Sequence, residues 1–171
     1  MKWLWIVPLL FVGLIALIVL VGLLLPKHHT ASRTARFKQP SAKVWSLIET
    51  PQSYKVWAPV KSIEMLPPRD GQEAWKIVQK SGDSLSLALV ERTPPSRLVT
   101  RIIDATAFGG TWTWVITPVG DDSCTLSVTE DGDVHNPIFR FVTYFFMGHH
   151  GTIDAHLKAL AGHLGESVVI E

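Results

Sequence analysis

The amino-acid sequence predicts an α+β domain in which a curved antiparallel sheet is covered by a long C-terminal helix, with a separate apolar helix at the N-terminus. Three observations support this. The chain begins with a long run without charges, continues with segments in which apolar and polar residues alternate, and ends with apolar residues at helical spacing. A sheet with one apolar face needs a cover, and the last segment is the only element long enough to provide it.

The first apolar run predicts a membrane-spanning helix. Trp3 to Leu25 contains 23 residues and no charge, which is about 35 Å as a helix and matches the hydrocarbon thickness of a bilayer. A cleaved signal peptide is the alternative, but the run is longer than the apolar region of such peptides and no convincing cleavage site follows it. We therefore assign residues 1–26 to a single-pass anchor, residues 27–32 to a short linker and residues 33–171 to the folded domain.

The charges favour a cytoplasmic position for the domain, because basic residues next to a span favour that side. Once Lys2 is set aside, 15 basic and 15 acidic residues remain, so no basic excess suggests a nucleic-acid partner. Cys124 is the only cysteine, which excludes an intrachain disulfide and is compatible with the cytoplasm. The basic residues that follow the span are Lys27, Arg33, Arg36, Lys38 and Lys43. They either contact anionic lipid headgroups or, at least for Lys38 and Lys43, are ordinary solvated surface.

The middle of the chain predicts one strand, two short helices and six further strands. Residues 34–39 form the first strand, which ends at Pro40. Ser41 is a good cap for a first short helix that ends before Pro51, and residues 53–57 form the second. Turn signals rich in glycine, proline and aspartate separate the remaining strands, which we expect at residues 60–66, 74–80, 84–89, 97–104, 109–116 and 124–130.

The last segment predicts one uninterrupted helix from Asn136 to Gly165. At about 100° per residue its apolar residues share one face. His149, His156 and His163 fall within the same arc, whereas Arg140, Asp154 and Lys158 fall opposite and are expected in solvent. The residues of the apolar face are Ile138, Val142, Phe145, Phe146, Ile153, Leu157, Leu160 and Leu164.

Four short motifs stand out within the predicted domain: Pro40-Ser41-Ala42-Lys43-Val44-Trp45, Trp57-Ala58-Pro59, Gly110-Thr111-Trp112-Thr113-Trp114 and Thr129-Glu130-Asp131-Gly132. Together they resemble the START-like, or SRPBCC, superfamily, and more closely its polyketide cyclase/dehydrase branch. The resemblance covers about residues 30 to 165. It implies the helix-grip fold, also seen in the major birch pollen allergen, with a cavity for a hydrophobic ligand between sheet and helix. Members include ligand carriers, cyclases and proteins without known activity, so the resemblance does not choose between binding and catalysis.

The sequence supplies plausible walls for such a cavity. Aromatic and aliphatic side chains with a few polar groups suit an apolar small molecule. The alternative is that these side chains fill a solid core. The candidate ligand-binding residues are Trp75, Leu87, Leu89, Trp112, Trp114, Leu126, Val128, Phe145, His149, Ile153 and His156.

Glu130 and His149 are the candidate catalytic residues. Alternation places Glu130 on the same side as Leu126 and Val128, where desolvation would raise its pKa and suit it to acid/base work. The alternative is that Glu130 ends the strand and is exposed. For His149 and His156 the alternative is a buried neutral imidazole. They are about 10.5 Å apart along a helix, too far to share a metal ion, and we expect neither a metal nor a cofactor.

These observations predict a membrane-anchored domain that binds a hydrophobic small molecule, lipid or isoprenoid-like, from the adjacent bilayer. One alternative is an enzyme of the cyclase/dehydrase kind that uses Glu130 and His149 as acid and base. A second is a non-catalytic interaction module, which a solid interior would favour. The sequence does not predict the oligomeric state.

Overall fold

One antiparallel sheet of seven strands organises the domain in the computed structural model, which describes residues 3–171. Neighbouring strands follow the order β1-β7-β6-β5-β4-β3-β2, so consecutive strands from β2 to β7 are paired as hairpins and β1 closes against β7. This confirms the predicted α+β helix-grip architecture with seven strands. The strands are β1 (His28–Phe37), β2 (Val60–Arg69), β3 (Gln72–Gln79), β4 (Ser84–Thr93), β5 (Arg97–Ile103), β6 (Phe108–Pro118) and β7 (Cys124–Val134).

The helices lie before, within and after this sheet. As expected, two short helices follow the first strand, and a 3₁₀ turn, Pro51–Ser53, joins them. The side-chain oxygen of Asn136 accepts hydrogen bonds from two backbone amides of the next helix and so starts it, as predicted. The helical elements are α1 (Trp3–Leu24), α2 (Ser41–Ser46), α3 (Tyr54–Trp57), α4 (Pro137–Val142), a π turn (Thr143–Met147) and α5 (Gly151–His163).

The first and last strands are longer than the sequence indicated. β1 begins at His28, inside the segment expected to be a linker, because it pairs with β7 from His28 opposite Asp133 onward. β7 runs to Val134 rather than ending at Glu130, and the amide of Val134 donates to the carbonyl of Lys27 at 2.8 Å. Only residues 25–27 therefore separate α1 from the sheet.

The C-terminal segment is two helices rather than one, which corrects the single helix expected from Asn136 to Gly165. The break falls at Gly148, whose φ of 67° is in the left-handed region that favours glycine. The helical phase is lost across this break. Phe145 and Phe146 are therefore 54% and 77% exposed, although they share the predicted apolar face with buried Ile153.

α5 covers the inner face of the sheet. Its buried residues Ile153, Leu157 and Leu160 pack in one core cluster with inward-facing residues of β1, β6 and β7. At the edge of α5, Asp154 accepts a hydrogen bond from Arg33 at 3.2 Å. This corrects the expectation that Asp154 is surrounded by solvent. α5 ends near Gly165, as predicted, with a positive φ there.

α1 is an apolar helix of 22 residues, long and apolar enough to cross a membrane, a criterion that an N-terminal signal sequence can also meet. Its last two turns contact α4, and Gly22 is buried where Pro137 crosses it. The guanidinium of Arg140, only 3% exposed, donates to the carbonyls of Gly22 and Leu25 at 2.9 and 3.1 Å. The apolar helix is thus fastened to the domain.

Candidate ligand-binding site

A cavity of about 520 Å³ lies between the sheet and the N-terminal half of α5. Its wall is formed by α3 and the start of β2, by the inner faces of β3 to β6, and by one face of α5. Most of these side chains are apolar, which suits an apolar ligand. The lining residues are Tyr54, Ala58, Pro59, Val60, Ile77, Gln79, Leu85, Leu87, Thr100, Trp112, Trp114, Gly151, Thr152, Ala155, His156 and Ala159.

On the α5 side the cavity is bounded mainly by small residues. Gly151, Ala155 and Ala159 recur every four residues and so share one face of the helix. The large residues Ile153 and Leu157 lie about 160° around the helix from Ala155 and fill the core. A helix with one large and one small stripe packs tightly along the first and leaves a cavity along the second.

His156 is the central polar group of the cavity. The centroid of its ring lies 5.7 Å from that of Trp57, 5.4 Å from Trp112 and 6.0 Å from Trp114. Burial among these aromatic rings lowers the pKa of His156 to about 4. The imidazole is therefore neutral at physiological pH, with one nitrogen that donates and one that accepts a hydrogen bond.

Two buried nitrogen atoms at the cavity wall have no hydrogen-bond partner in the described part of the chain. They are Nδ1 of His156 and Nε1 of Trp114. An unsatisfied buried polar group costs about 1–3 kcal/mol. Neither nitrogen is accessible from the cavity, so this cost belongs to the packed wall and not to a ligand contact.

A second group of titratable side chains lies where β1 begins. The rings of His29 and His149 stack with centroids 3.8 Å apart, and Nε2 of His29 is 3.9 Å from Oε1 of Glu130. His29 can lie across β7 because its partner there is Gly132, where a Cβ would come within 2.6 Å of the imidazole. His29, Glu130 and His149 thus form one cluster, named here the His-Glu cluster.

Burial governs the charge of the His-Glu cluster. It raises the pKa of Glu130 to about 7. It lowers the pKa of His29, where the neighbouring His149 adds to the effect, and it also lowers the pKa of His149, with a further contribution from His150. Near neutral pH the cluster therefore consists of two neutral imidazoles and a half-ionised carboxyl group. Such a carboxyl group can either donate or accept a proton, because both of its protonation states are populated.

The cluster and the cavity are neighbours joined by Trp112. Trp112 lies opposite Glu130 in the β6–β7 pair, on the same face of the sheet, and its ring also contacts His156. Glu130 is 20% exposed and lies in mid-strand, so it does not end the strand in solvent. Among the described residues no group of three or more histidine, cysteine, aspartate or glutamate side chains is arranged to hold a metal ion.

The candidate binding residues do not all lie at the cavity. Leu87, Trp112, Trp114 and His156 line the cavity. Leu89 packs at the margin of the core, and His149 lies in the His-Glu cluster. Phe145 is mostly exposed, which corrects its expected place in the wall. The candidates that are buried in the packed core are Trp75, Leu126, Val128 and Ile153.

Sequence reasoning missed His29 and much of the cavity wall. His29 fell within the expected linker, so nothing placed it beside Glu130. Tyr54 and Thr100 also line the cavity, but no sequence pattern separates them from ordinary core residues. The small-residue stripe Gly151, Ala155 and Ala159 was a usable signal, because these residues line the same cavity as Trp112 and Trp114.

The family follows from the sequence itself. Residues 28–165 match the family described as polyketide cyclase / dehydrase and lipid transport. This range is most of the chain and begins at the first residue of β1. The chain therefore belongs to this family. No curated protein matches the chain.

Solved structures share the fold at low sequence identity. The Zhui aromatase/cyclase from Streptomyces sp. R1128 superposes with a TM-score of 0.64 at 13% identity, covering 81% of this chain and 94% of that one. A START superfamily protein from Mycobacterium smegmatis gives 0.61 at 20% identity, covering 80% and 97%. Norcoclaurine synthase from Thalictrum flavum gives 0.61 at 12% identity, covering 82% and 88%. At these identities the likeness establishes the fold alone.

Proposed function

We propose that this protein is a membrane-anchored START-like domain that binds a hydrophobic small molecule, lipid or isoprenoid-like, in the cavity beneath α5. The observation that carries the proposal is the apolar cavity of about 520 Å³ with His156 in its wall. That volume lies within the range of small-molecule sites, roughly 300–1,000 Å³. An interior packed solid, as expected for a pure interaction module, is not what this domain has.

The lining indicates the chemistry of the ligand. Each square ångström of apolar surface that the ligand removes from water contributes about 25 cal/mol, so an extended or cyclic hydrocarbon body is favoured. The neutral imidazole of His156 in the wall favours one uncharged polar group, such as a hydroxyl or carbonyl. A fully charged head group has no matching cation among the lining residues.

The attachment of α1 supports a retained anchor over a cleaved signal sequence. Two of the four hydrogen bonds of the buried Arg140 guanidinium go to carbonyls of Gly22 and Leu25. Cleavage would remove these acceptors and uncover the surface of α4 that packs on Gly22. The excess of basic residues after the span supports a cytoplasmic position for the domain.

The test compares two phenylalanine variants on α5 in full-length protein purified from membranes in detergent. Ala159 lines the cavity, whereas Lys158 is exposed and is not part of the lining. Ala159→Phe should lose most of the hydrophobic molecule extracted from the wild type and detected by mass spectrometry. Lys158→Phe should retain it, because this side chain is outside the cavity. Lipids that merely surround α1 are common to both variants and do not affect the comparison. Equal retention by both would contradict binding in the cavity.

A second candidate function is catalysis at the His-Glu cluster. It is favoured by the raised pKa of Glu130, a group poised to transfer protons, 3.9 Å from His29. The same extraction distinguishes the two functions. A bound molecule identical to one in the surrounding membrane favours a carrier, whereas one that is chemically altered only when Glu130 is intact favours an enzyme.

A further inference from the structure

The segment from α4 through the π turn exposes an unusual amount of apolar surface. Phe146 is 77% exposed, and four more large apolar or aromatic side chains of the segment are at least 40% exposed. Such a contiguous patch on a folded domain marks a surface that meets a partner or a membrane. The side chains that form this patch, named here the aromatic foot, are Ile138, Phe139, Tyr144, Phe145 and Phe146.

The aromatic foot carries no free charge. Between Pro137 and Gly148 the sequence has a single charged residue, Arg140. It is 3% exposed, and its guanidinium donates four hydrogen bonds, to the backbone carbonyls of Gly22, Leu25, Val134 and His135. A water-facing or protein-binding surface helix normally has polar residues on its outer side. Here the outer side is apolar and aromatic.

The aromatic foot also lies at the end of α1. Gly22 is buried against Pro137, and Ile18, Val19 and Val21 are partly covered although most of α1 is exposed. Helices in membranes pack closely where a small residue allows the backbones to approach. α4 is therefore beside the last two turns of α1, at the depth where a spanning helix passes from hydrocarbon into headgroups.

We propose that the aromatic foot is a second membrane-embedded element, inserted in the same leaflet that α1 leaves. The proposal rests on the proposed function in one respect, namely that α1 spans the bilayer. Interfacial helices bury their apolar face to a depth of about 5–10 Å, and tyrosine is enriched at the membrane–water interface. The occupant of this surface is lipid rather than another protein, since it continues the lipid-facing surface of α1.

The insertion brings the cavity to the bilayer surface. His149 follows the aromatic foot directly and stacks on His29, only five residues beyond the end of α1. Two residues later, Gly151 and Thr152 are both exposed and part of the cavity wall. A hydrophobic molecule therefore has a short path from the leaflet, past the break at Gly148, into the cavity.

The test measures immersion depth with a nitroxide label in full-length protein reconstituted into phosphatidylcholine/phosphatidylglycerol vesicles. The label is placed by Phe146→Cys or by Val169→Cys in a Cys124→Ala background. The two positions are matched in exposure, at 77% and 78%. Leu10→Cys, at a position 68% exposed on α1, reports on the anchor itself. Oxygen concentrates in lipid and a nickel chelate stays in water, so their collision rates with the label give its depth.

Labels introduced by Phe146→Cys and Leu10→Cys are expected to collide several-fold more often with oxygen than with the nickel chelate. The label introduced by Val169→Cys is expected to collide more often with the nickel chelate than with oxygen. If the labels introduced by Phe146→Cys and Val169→Cys are equally accessible to nickel while the Leu10→Cys label is immersed, the aromatic foot is not inserted in the membrane. The proposal that α1 is an anchor would be unaffected. Protection of the Phe146→Cys label from both reagents would also overturn the insertion of the aromatic foot, since this indicates a protein contact. Nickel access after Leu10→Cys would refute the anchor and the foot together.

Discussion

Glu130 is the acidic residue of β7 that faces the interior, in the middle of the strand. The groups that face it, His29 and His149, are themselves held neutral by burial, so neither compensates a carboxylate charge. Burial raises the pKa of Glu130 from 4.5 to about 7. Its proton is therefore bound more tightly in the folded protein than in the unfolded chain.

The consequence is a specific pH dependence of stability. Between pH 4.5 and about 7 the folded protein keeps a proton that the unfolded chain has released, so the contribution of Glu130 to the free energy of unfolding falls as the pH rises. Glu130→Gln should remove this fall and raise the free energy of unfolding at pH 8 by up to about 3 kcal/mol. The measurement is denaturant unfolding in one detergent over a pH series.

Glu64→Gln is the matched control, since Glu64 is exposed on β2. The histidines with lowered pKa values act in the opposite direction, so only the difference between wild type and Glu130→Gln isolates the carboxyl group. Parallel pH profiles for wild type and Glu130→Gln would show that Glu130 ionises normally in the folded protein.

Single residues were predictable from the sequence where alternation along a strand is strict. Trp112 and Trp114 face inward as expected, and so does Glu130, because each strand has a fixed period of two. His149 could not be placed correctly, because its phase was counted along a helix that breaks one residue earlier. His29 was out of reach, since its only signal is the pairing of β1 with β7, which joins residues about a hundred positions apart.

At the level of elements, the break at Gly148 shows what an apolar pattern cannot distinguish. The interior of a domain and the interior of a bilayer select the same side chains. Phe145 and Phe146 therefore continued the stripe of Ile153 on one predicted face. Their exposure separates two helices with different surroundings: α5 packs on the sheet, whereas α4 packs on α1.

The contact between α1 and α4 depends on the absence of a side chain at Gly22. A Cβ at this position would collide with the carbonyl oxygen of Pro137, and backbone atoms cannot move aside cheaply. Gly22→Ala should therefore separate the two helices and lower the free energy of unfolding by roughly 1–3 kcal/mol. Faster hydrogen exchange of the α4 amides in detergent would report the separation directly.

Gly13→Ala provides the comparison within the same helix. Gly13 has no atom within 4 Å of a Cβ position, so alanine there should be neutral or slightly stabilising through its higher helix propensity. If both variants exchange amides as the wild type does, Gly22 is not a close contact and α4 does not rest on α1.

For the molecule as a whole, the N-terminal helix acts as a structural part of the domain. A chain that begins at Pro26 lacks two of the four carbonyl acceptors of Arg140. It should fold, because the core lies elsewhere, but with a free energy of unfolding lower by roughly 1–3 kcal/mol. Arg140→Gln should then cost less in the truncated chain than in the full-length protein, as measured by chemical unfolding in one detergent.

Arg97→Gln is the control for this cycle, because Arg97 pairs with Glu91 on the surface, far along the sheet from α1. Its small cost should be equal in both backgrounds. Equal costs of Arg140→Gln in both backgrounds would instead mean that α1 and the domain are energetically independent.

The sequence predicted the two parts of the molecule better than the relation between them. The apolar span, the seven strands and the paired short helices each carry a local pattern. The attachment of α1 does not, because it depends on one glycine, one proline and an arginine that sequence patterning had placed in solvent. Arg140 binds only backbone carbonyls, so no acidic partner in the sequence indicates that this arginine is buried.

The short connection between α1 and β1 limits the range over which the domain can act. Residues 25–27 span at most about 10 Å, and Arg140 removes even that freedom. If α1 spans a bilayer, as proposed, the domain is held against one leaflet and does not reach an opposing membrane. Under the same proposal, lateral diffusion sets its reach, and a bound molecule enters and leaves at that leaflet.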